Sequence, residues 1–152
     1  MSPSSGRPCW KWPGSWPSRG ALKCKSVLNA LVRIAHADLA TLRVGDAAAK
    51  VMHLASWSAS GQWQRPESIP MQKSLSGKVF QSKEAAVAND YPSHPNAEAS
   101  AVTQGLRSAV AFPIKSGHNL LGVVAVGSKE PDHFSPWSVR VLGAICEGLG
   151  GL

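Results

Sequence analysis

From Ser26 onward the apolar positions change period several times, and each change marks an element. Val27, Leu28, Leu31, Val32, Ile34 and Ala35 recur at helical spacing, with Ser26 placed to cap them. Asp38 to Val44 and Lys50 to Trp57 then read as two strands, joined by a short turn around Gly45-Asp46. In the second strand Val51, His53, Ala55 and Trp57 are expected on one face, Met52 and Leu54 on the other. Residues 58–72 lack periodicity and contain Gly61, Pro66 and Pro70, which predicts a loop.

Ser74 can cap a short helix carrying Leu75, Val79 and Phe80 on one side. Ala85 to Ala88 reads as a short apolar strand, and Asn89 to Pro95 as a turn-rich excursion with two prolines. Residues 97–104 form a second short helix stopped by Gly105. Ser108 to Ile114 and Leu120 to Gly127 flank a Gly-containing turn and predict a hairpin. Both strands are apolar on both faces, so they are expected near the centre of a sheet covered by helices on each side. Pro113 cannot donate to a ladder and implies a bulge or a strand end. A last helix starts with Ser135 as cap and Pro136 at its first position, with Phe134 able to staple onto Val139. Leu142, Ile145, Leu149 and Leu152 form its stripe, weakened by Gly143, Gly148, Gly150 and Gly151.

Residues 1–24 stand apart. Pro3, Pro8, Pro13 and Pro17 recur among Ser and Gly, and Trp10, Trp12 and Trp16 follow no period. A disordered extension is expected, with translation from a start upstream of the native one as one account of it. The other reading is an aromatic–basic peptide for a membrane surface or an acidic partner. Residues 25–152 are then one domain, the usual outcome for a chain of this size.

The net charge of +7 changes little once it is located. Residues 1–25 hold five Lys/Arg and no acid; the remaining 127 hold 11 Lys/Arg against 9 Asp/Glu. The folded part is nearly neutral and carries no basic stripe with interleaved aromatics, which argues against nucleic acid. No apolar run approaches the roughly 18 residues of a membrane span. Cys9, Cys24 and Cys146 show no metal-ligand spacing, and Cys146 lies among apolar helix positions. That usage fits a reducing compartment, and the location expected by default is cytoplasmic.

One run of about 60 residues resembles a known family. Gly77, Val79 and Phe80 are followed by Ala85 to Val87 and by Asn89-Asp90-Tyr91. Then come Gly105-Leu106-Arg107-Ser108, Val110, Phe112-Pro113-Ile114, Leu121-Gly122-Val123 and Phe134-Ser135. Their order and spacing resemble the second half of a GAF domain, a small sensory module, and the wider resemblance runs from about Ser26 to Leu152. It implies an α/β (α+β) fold, a GAF/PAS-like antiparallel sheet of five or six strands with helices on both sides. It also implies a regulatory sensor that binds a small molecule and signals through its terminal helices, as such domains do in sensor kinases and other two-component regulators. The expected assembly is a homodimer, with no nucleic acid and no membrane as partners. The alternative is a ligand-free dimerisation or scaffold module. A free methionine sulfoxide reductase is the remaining enzyme class, but its redox cysteines on pocket loops are missing, since no cysteine lies between Cys24 and Cys146.

The resemblance places a cavity between the sheet and the excursion of residues 58–105. Candidate ligand-binding residues are Asp90, Tyr91, His94, Arg107, Val110 and Phe112, with no catalytic residue, no metal ligand and the cofactor unknown. Arg107 can clamp a carboxylate or phosphate, or instead pair with Asp90 at the surface. Asp90 can equally serve an Asx turn, Tyr91 can pack with its hydroxyl in water, and His94 can be an exposed loop histidine.

Overall fold

The computed structural model describes residues 18–149, with side chains from residue 24 onward. A helix α1 (Ser18–Ala35) leads into strands β1 (Leu39–Asp46), β2 (Val51–Ala59) and β3 (Ser68–Pro70). A 3-10 turn (Met71–Lys73), helix α2 (Leu75–Ser82), strand β4 (Ala86–Ala88), a second 3-10 turn (Tyr91–Ser93) and helix α3 (Ala99–Thr103) follow. Strands β5 (Ser108–Ser116) and β6 (Asn119–Ser128) form the hairpin, and helix α4 (Pro136–Leu149) closes the fold. The six strands make one antiparallel sheet in the order β3-β2-β1-β6-β5-β4.

Alternation along the central strands divides the interior into two layers. Ala40, Leu42, Val110, Phe112, Ile114 and Val124 face α1 and α4, where Cys24, Leu28, Leu31, Leu142, Cys146 and Leu149 meet them. Ala109, Ala111 and Val123 face the other way, toward Met71, Leu75, Val79 and Tyr91. The central hairpin is apolar on both faces because each face is covered, as its composition predicts.

Several boundaries differ from the sequence reading, each for a local reason. α1 starts at Ser18, so Ser26 is an exposed mid-helix residue rather than a cap. The stripe continues back one turn to Cys24, which is fully buried. Residues 18–24, expected in the extension, therefore belong to the helix, while residues 1–17 lie outside those described. The β1–β2 turn falls at residues 47–50 instead of at Gly45-Asp46. Gly45 stays in the strand because the Phe80 ring lies against it, where a Cβ would stand 2.5 Å from Cζ. A bulge in β2 opposite Leu42/Arg43 leaves Ala55 as the extra residue. It returns Trp57 to the face of Met52, contrary to simple alternation. β3 interrupts the expected 58–72 loop; it is short, and Pro70 is tolerated there because the strand is an edge. Pro113 sits where β5 has run past β4, and a bulge follows at Ile114/Lys115.

Caps match their residues. Ser74 Oγ accepts from Gly77 N–H (3.1 Å), and Ser135 Oγ accepts from Ser138 N–H (3.1 Å). Among the described residues no helix is long and apolar enough to cross a membrane.

Candidate functional site

The face of the sheet under α2 and α3 is not fully filled. Leu39, Thr41 and Arg43 of β1, Ala109 of β5 and Ala125 of β6 form the floor of a cavity of about 70 Å³. Trp63 to Pro66, Ile69 and residues 74–76 make one wall; Tyr91, Glu98, Ser100, Ala101, Gln104 and Leu106 make the other. Tertiary structure brings these together from four segments that are far apart in sequence.

Arg43 is the charged residue of the floor and only 4% exposed. Its Nη1 donates to the Met52 carbonyl at 3.3 Å, which fixes the guanidinium against the neighbouring strand. Tyr91 is equally buried, and its hydroxyl accepts from the Glu98 N–H at 2.7 Å. Burial pushes the phenol up to about 12; the hydrogen bond from Glu98 N–H and the Arg43 charge oppose this to a smaller extent and the Glu98 charge adds to it, so the phenol stays neutral at ordinary pH. Glu98 caps α3: its carboxylate accepts from Ser100 N–H (2.9 Å), Ser100 Oγ–H (2.6 Å) and Ala101 N–H (3.2 Å).

The rim is closed by a reciprocal amide contact. Gln104 Oε1 accepts from Gln64 N–H at 2.6 Å, and Gln104 Nε2 donates to the Gln64 carbonyl at 3.1 Å. Beside it Arg65 stacks 3.5 Å from the Trp57 ring centroid and donates to the Trp63 carbonyl at 2.8 Å. Lys25 also lies over Trp57 and donates to its carbonyl. The indole Nε1 of Trp63 is buried and has no hydrogen-bond partner. Leaving such a donor unpaired in the folded state costs roughly 1–3 kcal/mol.

Of the six residues singled out in the sequence, the cavity gathers Tyr91. Val110 and Phe112 point into the opposite layer, because cavity residues on β5 are the odd-numbered Ala109 and Ala111 side of the alternation. Arg107 is exposed, and its backbone is what serves the fold: its carbonyl accepts from Tyr91 N–H at 2.8 Å and its N–H donates to Ser128 at 2.9 Å. Asp90 is exposed and makes neither the Asx turn nor the ion pair with Arg107 that the sequence leaves open. His94 is half-buried and is not among the cavity-lining residues; its Nδ1 accepts from Asn96 N–H (3.0 Å) and burial, then Lys78, lowers its basicity. Arg43, Trp63, Glu98 and Gln104 are the residues that sequence reasoning missed. The available signal was Arg43, an arginine inside an otherwise apolar strand.

The remaining motif pieces serve architecture. Asn89 Nδ2 donates to the Phe134 carbonyl (2.9 Å) and Asn89 Oδ1 accepts from Phe134 N–H (3.1 Å), so the excursion is tied to the start of α4. Cys24 and Cys146 are free thiols in the α1/α4 layer, away from the cavity. Among the described residues no group of three or more His, Cys, Asp or Glu could hold a metal ion.

A family model described as GAF domain matches residues 24–151. The chain belongs to the GAF family. No curated protein matches it. Solved GAF-fold structures do. Free methionine-R-sulfoxide reductase from Neisseria meningitidis, in complex with its substrate, aligns at TM-score 0.76 and 17% identity over 87% of this chain and 76% of that one. The GAF domain of an Acinetobacter phosphoenolpyruvate-protein phosphotransferase aligns at 0.71 and 20%, over 90% and 82%. The second GAF domain of DevS from Mycobacterium smegmatis aligns at 0.68 and 14%, over 87% and 91%. At these identities the likeness speaks for the fold alone. The six-stranded antiparallel α+β architecture is that of a GAF domain, a family that is generally regulatory.

Proposed function

We propose that this GAF domain is a regulatory sensor whose β1/α3 cavity binds a small molecule and whose terminal helices carry the response. The observation that carries the reading is the cavity itself: the buried Arg43 and Trp63 are among the residues lining a mostly apolar recess under α2 and α3. A domain serving only as a scaffold gains nothing from keeping these groups in an unfilled interior.

A route to the helices follows from strand alternation. Leu39, Thr41 and Arg43 face the cavity, while Ala40 and Leu42 on the same strand pack on the layer holding α1 and α4. A ligand that shifts β1 acts on both layers. α1 and α4 lie together on that far face and are suited to pairing with a second copy or with the helices of an output domain, as in a sensor kinase. Tyr91 contributes a neutral wall with a polar tip. His94 lies outside its lining, and Asp90, Arg107, Val110 and Phe112 support it through backbone and packing.

An enzymatic reading along the lines of the sulfoxide reductases needs a reactive thiol at the cavity. Among the described residues the cysteines are Cys24 and Cys146, pushed up by burial to about 11 and about 12, in the opposite layer; Cys9 lies outside the described residues. Regulation is therefore the better-supported role.

Native mass spectrometry of protein incubated with a cell metabolite extract tests the reading, with Ala101→Phe as a cavity-filling variant. Wild type is expected to carry a small-molecule adduct that the variant loses. Wild type at its bare mass, with no adduct at any extract concentration, would favour the scaffold role.

A further inference from the structure

The loop joining β2 to β3 is fastened by main-chain bonds only at its ends. Ser60 N–H donates to the Asp38 carbonyl (2.8 Å), and Leu54 N–H donates to the Glu67 carbonyl (2.7 Å). Between them, among the described residues, no backbone–backbone hydrogen bond reaches residues 61–66.

Side chains hold the middle. Gln104, at the end of α3, takes the Gln64 N–H on Oε1 and gives Nε2–H to the Gln64 carbonyl, as a neighbouring strand would. Its Nε2 also donates to the Ser100 carbonyl at 3.2 Å, which anchors the amide to α3. Both bonds to Gln64 lie at the exposed rim, where water can replace either partner. The ends differ in stiffness. Gly61 has φ +82°, and nothing beyond its chain neighbours lies within 4 Å of where a Cβ would stand, so it is free to turn. Pro66 fixes its own φ at the other end.

This loop also divides two spaces. Trp63, Gln64, Arg65, Ser100 and Gln104 line both the cavity under α2 and α3 and a larger, more open recess outside it. The Gln64–Gln104 contact is where the two meet.

We infer that residues 61–66 are a gate between the outer recess and the cavity, and that Gln104 is the positioning residue that latches it. What passes the gate rests on the reading of the cavity as a ligand site; the opening itself does not. When the latch releases, the loop turns about Gly61, carries Trp63 outward and joins the cavity to the recess. Opening breaks two exposed bonds and no sheet bond, so it proceeds without unfolding. The Trp63 ring, buried when closed, is uncovered, and its indole N–H meets water.

The experiment is residue-resolved hydrogen exchange by NMR on the ligand-free protein, in water and in urea below the unfolding transition. In wild type the Gln64 amide and the Trp63 indole N–H should exchange at least about a hundredfold faster than the Val110 and Val124 amides, at rates insensitive to urea. Gln104→Met keeps the length of the side chain and removes both bonds. It should speed exchange at Gln64 by roughly ten- to a hundredfold, the effect of two exposed hydrogen bonds. The Trp63 indole, which Gln104 does not bond, should speed by a similar factor because the loop moves as one piece. Gln64 and Trp63 exchanging only with the core strands, and with the same urea dependence, would overturn the gate even if the variant fails to fold. Gln64 speeding in the variant while the Trp63 indole stays unchanged would overturn it too, since Gln104 would then shield one amide only. Opening without any adduct from metabolite extract leaves the gate standing and removes the ligand reading; an adduct without opening removes the gate alone.

Discussion

Cys24 and Cys146 show at residue scale how one type of side chain can be read correctly from sequence and another cannot. A cysteine at an apolar helix position is expected to be an inert small hydrophobe, and both thiols are at most 1% exposed. Their protonation is then linked to folding. Burial raises the folded-state values to about 11 and about 12, so the unfolded chain releases these protons first as pH rises. Tyr91, pushed up to about 12, acts with the same sign. The stability they contribute is complete below the unfolded thiol value of about 8.5 and is lost as pH climbs through the folded values. The thermal midpoint should therefore hold up to about pH 8 and fall steadily above about pH 9, and Cys24→Ala/Cys146→Ala should flatten the start of that decline. A wild-type midpoint unchanged to about pH 11 would contradict the burial of these groups. Arg43 is the opposite case. An arginine in a strand reads as solvent-facing, and only the layer of α2 and the 60–66 loop, assembled from distant sequence, makes it an interior charge.

At the scale of elements, local rules go far. The order of helices and strands, the Ser74 and Ser135 caps and the two-faced hairpin all follow from periodicity and turn chemistry. What periodicity lacks is the third dimension. The bulge at Ala55, the three-residue β3 and the shifted β1–β2 turn depend on neighbours that contribute no local signal. Gly77 illustrates this dependence. It lies in the first turns of α2, and a Cβ there would stand 1.7 Å from the Met71 carbonyl oxygen, in backbone that cannot move aside as a side chain would. The 3-10 turn and α2 form one unit, closed over the cavity wall, only with glycine at that position. Gly77→Ala should destabilise the domain by about 3 kcal/mol and lower the midpoint by about 10 °C, measured by urea and thermal unfolding. A loss under about 0.5 kcal/mol would show that the unit is looser than described.

For the whole molecule, two layers on one sheet separate the cavity from the terminal helices. The cavity lies on the α2/α3 face and the paired terminal helices on the other, with β1 contributing to both. Sequence resemblance indicated the family and the presence of a cavity near Tyr91. It placed the charge partner at Arg107 and the floor at Val110 and Phe112, because strand parity and burial cannot be read without the pairing register. The decisive measurement is amide and indole chemical-shift mapping by NMR as the ligand recovered from extract is titrated in. The largest shifts should fall on Arg43, Tyr91, Ala101, Gln104 and the Trp63 indole N–H, with smaller ones reaching α1 and α4. Shifts centred instead on Arg107, Val110 and Phe112, with the Trp63 indole unmoved, would contradict this placement of the site.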